Sequence, residues 1–300
     1  TDGSASAAND MEAPCMGKRI PRETILEKLR ARVERGEPIV GCGAGTGISA
    51  KMAEAGGADL IIIYNSGRYR MAGRGSLAGL LPYGDANEIV VDMAREVIPV
   101  VKQTPVLAGV CGTDPFRDIE VFLRQLIAIN FSGVQNFPTV GLIDGTFRAN
   151  LEATGMGYDK EIEMIKLAHD LGMLTTPYVF DPDQATAMAE AGADVLVPHL
   201  GLTTAGTIGA TVAVTLDEAI ERVLAMAEAA WRVRPDILVL CHGGPLDEPD
   251  NVGFALSRMP GIAGFFGASS IERLPTERAI SEQVRRFKQL ALAPRAAASA

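Results

Sequence analysis

Eight short apolar, β-branched runs recur along the chain, and helical patterns separate them. The runs are Ile39–Cys42, Leu60–Tyr64, Val106–Val110, Val134–Phe137, Leu174–Phe180, Val195–Val197, Ile237–Leu240 and Ile262–Phe266. They are continuously apolar rather than alternating, as parallel strands buried on both faces must be. Between them lie the patterns Ile48–Ala55, Ala86–Val97, Ile119–Ile129, Asp159–Leu171, Asp183–Ala191, Leu216–Val233 and Thr276–Leu290, with a short helix starting near Asn251. Strand–helix alternation gives a parallel α/β sheet, and eight units favour closure into a (β/α)8 barrel. A length of 300 residues suits one such barrel. The expected layout is a flexible tail over 1–20, a barrel over 21–290 and a flexible tail over 291–300. Ile25, Leu26, Leu29 and Val33 form a helical stripe that would cover the barrel bottom.

A short internal repeat points the same way. Met52-Ala-Glu-Ala-Gly-Gly-Ala-Asp-Leu60 resembles Met188-Ala-Glu-Ala-Gly-Ala-Asp-Val-Leu196. Each copy closes a helix and opens a strand, the second and the sixth, which is half a barrel apart.

Composition narrows the partners. A net charge of -9 argues against nucleic acid or an anionic membrane as a general partner, although local cations can still hold a small anionic substrate. No apolar run approaches the ~20 residues of a membrane span. The N-terminus lacks an apolar signal core, and Cys15, Cys42, Cys111 and Cys241 lie far apart with no CxxC pair. These features predict free thiols and a cytoplasmic protein. Two stretches are longer than a barrel connection needs, Asn65–Asp85 and Pro138–Tyr158, and both follow strand ends. Loops of that length at that face are expected to be lids, binding loops or oligomer contacts, and a homo-oligomer is expected.

In a barrel the chemistry sits at the carboxyl ends of the strands. The residues there are Cys42, Asn65, Asp114, Asn136, Asp181, His199, His242, Ser269 and Ser270. His199 and His242 end the sixth and seventh runs, which are neighbours, so the pair suits acid–base work. His169 lies inside a helix and is expected on the surface. Asp181 joins the catalytic candidates, while Asp114 and Asp181, each before a proline, fit either helix caps or Mg²⁺ ligands. The small residues Gly243, Gly244, Gly267 and Ala268, with Ser269 and Ser270, follow the seventh and eighth runs, where barrels often bind phosphate. Asn65 and Asn136 are further substrate contacts. Arg68 or Arg70, from the first long connection, would clamp a carboxylate.

Other classes lack support. No lysine ends a strand, where a Schiff-base enzyme needs its amine. Gly43-Ala-Gly-Thr-Gly47 has GxGxG spacing, not GxGxxG, and no P-loop is present, so no nucleotide cofactor is expected. Zinc lacks a third ligand beside the two histidines.

Several long motifs carry a family resemblance. They are Gly133-Val-Gln-Asn-Phe-Pro-Thr-Val-Gly-Leu-Ile-Asp-Gly145, Glu152-Ala-Thr-Gly-Met-Gly-Tyr158, His199-Leu-Gly-Leu-Thr-Thr204, Cys241-His-Gly-Gly-Pro245 and Gly267-Ala-Ser-Ser-Ile-Glu-Arg-Leu-Pro-Thr-Glu277. Over about residues 22–290 the chain resembles the phosphoenolpyruvate hydrolase-like, also called phosphonopyruvate hydrolase-like, TIM-barrel family. It is also similar to the C-terminal barrel domain of a plant tobamovirus-resistance protein. The resemblance implies a TIM barrel and a hydrolase of a small phosphonylated or phosphorylated 2-oxo or enol acid, with Mg²⁺ near Asp114. The sequence departs from the wider superfamily: it has neither the aspartate cluster for Mg²⁺ nor a Lys-Lys-Cys-Gly-His type loop. Two other readings fit the same residues. One is a different phosphate-ligand barrel enzyme, an isomerase or a lyase without a Schiff base. The other is a non-catalytic regulatory barrel that binds a ligand or partner.

Overall fold

A computed structural model describes residues 18–211 and 214–293; the outer parts of both expected tails lie outside these residues. The strands are β1 (Ile39–Gly43), β2 (Leu60–Ile63), β3 (Val106–Gly109), β4 (Gly133–Gln135), β5 (Leu174–Thr175), β6 (Tyr178–Val179), β7 (Val195–Pro198), β8 (Leu238–Cys241) and β9 (Gly264–Gly267). All pairings are parallel, and the order is β5-β4-β3-β2-β1-β9-β8-β7-β6. The two ends of that order, β5 and β6, are pieces of one run, so the sheet closes on itself as an eight-stave barrel. The expected run Leu174–Phe180 is therefore one stave broken at Thr176-Pro177. Proline has no N–H to give a ladder. On one side Thr176 N–H donates to the Val134 carbonyl (3.0 Å), and on the other the Pro177 carbonyl accepts from Val197 N–H (2.9 Å).

Eleven helices lie among the described residues: α1 (Arg22–Glu34), α2 (Gly47–Ala55), α3 (Asn65–Met71), α4 (Ala86–Val97), α5 (Ile119–Ala128), α6 (Gly145–Ala153), α7 (Asp159–Asp170), α8 (Pro182–Glu190), α9 (Leu216–Val233), α10 (Pro249–Ser257) and α11 (Arg273–Lys288). Asp85, Asp118, Asp181 and Thr215 cap α4, α5, α8 and α9, each accepting a backbone N–H of the first turn. The two long connections are not structureless. The first holds α3 and a 3₁₀ turn at Ser76–Leu80; the second holds a 3₁₀ turn at Val140–Leu142 and α6. None of the described helices is long and apolar enough to cross a membrane.

Helix α1 closes the barrel bottom through Ile25, Leu26 and Leu29, while Val33 stays exposed. The internal repeat explains how α1 is held. Asp59 accepts the Val40 N–H (2.9 Å) and pairs with Arg32 (2.7 Å). Asp194, its counterpart in the repeat, accepts the Thr175 N–H (3.0 Å) and pairs with Arg22 (Nε–Oδ2, 2.8 Å). Two equivalent aspartates thus stitch the starts of opposite staves to one helix. The segment before α1 is also anchored: Arg19 donates to the Gly172 carbonyl (2.6 Å) and Ile20 N–H to Ser132 Oγ (2.9 Å). At the other end, α11 is exposed on every face from Arg278 onward, including Ile280, Val284 and Phe287.

Candidate active site

The carboxyl ends of the staves enclose a cavity of about 30 Å³, walled by aromatic rings and roofed by the long connections. The rings come from strand ends. Tyr64 follows β2, Phe137 follows β4, Tyr178 opens β6, and His199 and His242 directly follow β7 and β8. Tyr178 sits centrally, with its ring centre 4.8 Å from His199 and 5.0 Å from His242; the two imidazoles are 4.6 Å apart. Gly109 makes room for this cluster, because a Cβ there would stand 2.3 Å from Tyr64 Cβ. Ser76 and Leu77 of the first connection and Leu142 of the second supply the roof.

The two histidines are buried and chemically opposite. His199 Nδ1 accepts the Gly201 N–H (3.0 Å), so in the neutral ring the proton lies on Nε2. His242 Nδ1 lies 2.7 Å from the Phe266 carbonyl, which can only accept, so Nδ1 carries the proton and Nε2 is bare. Neither Nε2 has a hydrogen-bond partner among the described residues, and both rings line the cavity. One ring therefore offers the cavity a donor and the other a lone pair. Burial holds both neutral. It pushes His242 down to about 4, with the Arg70 charge adding to the effect, and pushes His199 well below the ordinary imidazole range, with His242 adding to it.

Arg70 is the cation that lines the cavity. Its side chain is 1% exposed, and so is that of its partner Glu272, with Nη2 and Oε2 3.3 Å apart. Nη1 lies 3.2 Å from Ser66 Oγ, the guanidinium carbon lies 5.3 Å from the Tyr64 ring centre, and Nε has no partner among the described residues. Glu272 also accepts from Gly45 N–H (2.5 Å) and Ser49 Oγ (2.5 Å), while Glu96 accepts from Gly47 N–H (2.6 Å). The glycine-rich turn before α2 is thus filled by the protein's own carboxylates.

Of the residues expected at the site, His199, His242, Arg70, Ala268 and Ser269 line the cavity. Ser269 Oγ stands 3.5 Å from Ser76 Oγ, where roof meets wall. The others lie elsewhere. Arg68 is two positions from Arg70, so it faces outward from α3 and pairs with Asp92 (2.5 Å). Asn65 donates to the Gly79 carbonyl (2.8 Å), and its buried Oδ1 has no partner among the described residues. Asn136 acts as a piece of backbone: its Oδ1 accepts the Tyr178 N–H (2.7 Å) and its Nδ2 donates to the Tyr178 carbonyl (3.2 Å). Asp181 caps α8 at Gln184 N–H (2.7 Å). Asp114 lies outside the ring of strands in a separate hollow of about 240 Å³, accepting from Asn87 (3.0 Å) and Phe116 N–H (2.9 Å) and lying 3.5 Å from Arg117.

The glycines expected to cradle phosphate have structural work. Gly243 has φ +82, and a Cβ there would stand 2.4 Å from the Gly201 carbonyl. Gly244 N–H donates to that same carbonyl (3.1 Å). Gly267 closes β9, and Ser270 lies outside the cavity lining. His169, expected on the surface, is half-buried against Gly192.

Mg²⁺ needs several hard oxygen ligands, usually one or two carboxylates. No Asp or Glu lines the cavity, and the described residues hold no group of three His, Cys, Asp or Glu that could hold a metal ion. The donor set at the mouth does not fit Mg²⁺.

One buried acid was not evident from sequence. Glu161 of α7 is 0% exposed; its carboxylate accepts from Asn136 Nδ2 (2.6 Å) and Val140 N–H (2.8 Å). Burial pushes its carboxyl up to about 7 against these hydrogen bonds. It sits behind the cavity wall and secures both Asn136 and the root of the second connection.

The chain as a whole is similar to known proteins. The chain is 61% identical over 271 residues to the ToMV resistance protein Tm-1(GCR237) of Solanum lycopersicum, covering 90% of this chain and 36% of that protein. It thus spans about a third of that relative's length. The crystal structure of phosphonopyruvate hydrolase in complex with oxalate and Mg²⁺ matches with a TM-score of 0.57 at 14% identity, covering 92% of both chains. Oxaloacetate acetylhydrolase matches with a TM-score of 0.56 at 17% identity, covering 90% of this chain and 89% of that one. At these identities the two structures show a shared fold. The model of the phosphoenolpyruvate hydrolase-like family matches residues 24–290, and with the closed parallel barrel and its motif-bearing mouth this places the chain in that family.

Proposed function

We propose that the chain is an enzyme that breaks a C–P or C–C bond beside the oxo group of a small 2-oxo acid, of the phosphonopyruvate or oxaloacetate type. The observation that carries this reading is the pair of buried imidazoles with opposed tautomers facing one arginine. Arg70 holds the carboxylate by charge-assisted hydrogen bonds. His199 Nε2–H donates to the oxo oxygen and steadies the enolate as charge grows there, in a dry site where a fixed donor is most effective. His242 in its protonated form delivers a proton from Nε2 to the enolate carbon.

For phosphonopyruvate the atoms balance as follows. The C–P bond breaks with its electron pair left on carbon, and the oxygen of water bonds to phosphorus. His242 protonates that carbon, and the proton released by water restores His242. The roof residues Ser76, Leu77 and Leu142 exclude bulk water while the enolate exists.

The test is incubation with phosphonopyruvate, phosphoenolpyruvate and oxaloacetate, following pyruvate, phosphate and oxalate, with and without Mg²⁺. Turnover of one of them, cut at least a hundredfold by His242→Asn, is the expected result. Binding without turnover at high enzyme concentration would replace the catalytic reading by a regulatory one, which the similarity to a virus-resistance protein favours.

A further inference from the structure

We infer that the cavity is a metal-independent site for the 2-oxo carboxylate end of the substrate, and that one proton enters with the ligand and resides on His242 Nε2. This rests on the proposal that the barrel mouth is the substrate site and adds how that site compensates the bound carboxylate.

The first argument is charge. The groups that face His242 are His199 after β7, Tyr178 of β6, and Arg70 of α3 with Glu272 behind it. Arg70 and Glu272 cancel, the two imidazoles are neutral, and no carboxylate lines the wall. A monocarboxylate would therefore leave one uncompensated negative charge in a buried site, which is costly. Any further acidic group of the substrate would point to the adjoining hollow, which Arg273, paired with Glu277 (3.0 Å), lines. Proteins that bind such ligands commonly add a divalent cation, but the donor set here does not fit one.

The second argument is geometry. His199 cannot take the compensating proton without conflict: its free position is Nδ1, which already faces the Gly201 N–H. His242 can, because its Nδ1–H keeps its bond to the Phe266 carbonyl while Nε2 is protonated toward the cavity. The same proton is the one the enolate carbon needs.

The third argument is size. The cavity of about 30 Å³ adjoins an outer hollow of about 120 Å³ that shares Ser76, Leu77, Leu202, Thr203 and Ser269 with it. The 2-oxo carboxylate end, as in pyruvate, suits the inner cavity, and a larger substituent would occupy the outer hollow.

The experiment is titration calorimetry of the full chain with pyruvate and with phosphonopyruvate, in EDTA and in Mg²⁺, using two buffers of different ionisation enthalpy. The expected result is pyruvate binding in EDTA, unchanged by Mg²⁺, with about one proton taken up at pH 7. Affinity should fall about tenfold per pH unit from pH 6 to 8, because the bound state holds one more proton. Glu272→Gln leaves Arg70 uncompensated, so uptake should drop toward zero and the pH dependence should flatten, while wild-type far-ultraviolet circular dichroism reports its fold. His242→Asn, which keeps a donor for Phe266, should also abolish uptake. Binding that requires Mg²⁺, or pyruvate binding without proton uptake, overturns the inference and leaves the proposed enzyme class standing. Absence of binding by either compound overturns both.

Discussion

Replacing Glu161 by glutamine should remove a specific pH dependence of stability. The carboxyl is fully buried among Asn136, Val140 N–H and Tyr158, and burial raises it from the ordinary 4.5 to about 7. Between those two values the folded chain holds a proton that the unfolded chain has lost. The contribution is complete below about pH 4.5 and disappears as pH rises through about 7. At about 1.4 kcal/mol per pH unit, that interval corresponds to about 3 kcal/mol. The histidines act in the opposite sense: His242, held down to about 4, makes the fold more stable as pH rises from there toward 6.5. Both proteins carry the histidines, so the difference between them isolates Glu161. Urea unfolding of wild type and Glu161→Gln at half-unit steps from pH 4.5 to 8 gives that difference. The variant should gain about 3 kcal/mol relative to wild type across the range, then run parallel above pH 7. A difference curve that stays flat would show that the carboxyl titrates alike in both states, and the account of its burial would fail.

Three further outcomes follow from the described contacts. Arg70→Met should destabilise by about 3 kcal/mol because it strands the buried Glu272, whereas Arg70→Met with Glu272→Gln should cost less than the single change; a double-mutant cycle in urea reads the difference. Asp194→Ala removes the acceptor for Arg22 and for Thr175 N–H together and should lower stability by about 3–5 kcal/mol, with faster amide exchange in α1 than in α9; equal exchange rates would refute the stitching of α1. Cys42 and Cys241 are buried with thiols pushed up to about 12, so neither should react with a thiol reagent at pH 8 until the chain is unfolded.

How far the fold could be read from residues differs from how far the site could. The β-branched runs place seven staves because burial on both faces demands continuous apolar residues, and ends agree within a few positions. The eighth, Leu174–Phe180, has the right composition, yet Pro177 breaks its ladder. At the site, histidines and arginines are legible as chemistry, but their partners are not. Glu272 lies 202 positions from Arg70, and only closure of the barrel brings them together. Asn136, Asp114 and Asp181 were polar residues at strand ends, and each turned out to serve the backbone or a local charge. Tyr64 and Tyr178 do not stand out in the sequence because aromatic residues inside apolar runs look like core, nor does Glu161, because an acid on a helix looks solvated.

The polarity of the histidine pair comes from Gly201 N–H and the Phe266 carbonyl, which are main-chain groups fixed by the barrel itself. Substitutions that reshape the roof or the aromatic wall leave those two groups in place. Ligand contacts made by the roof and wall are thus separable from the donor and the lone pair, which the main chain holds in opposite orientations.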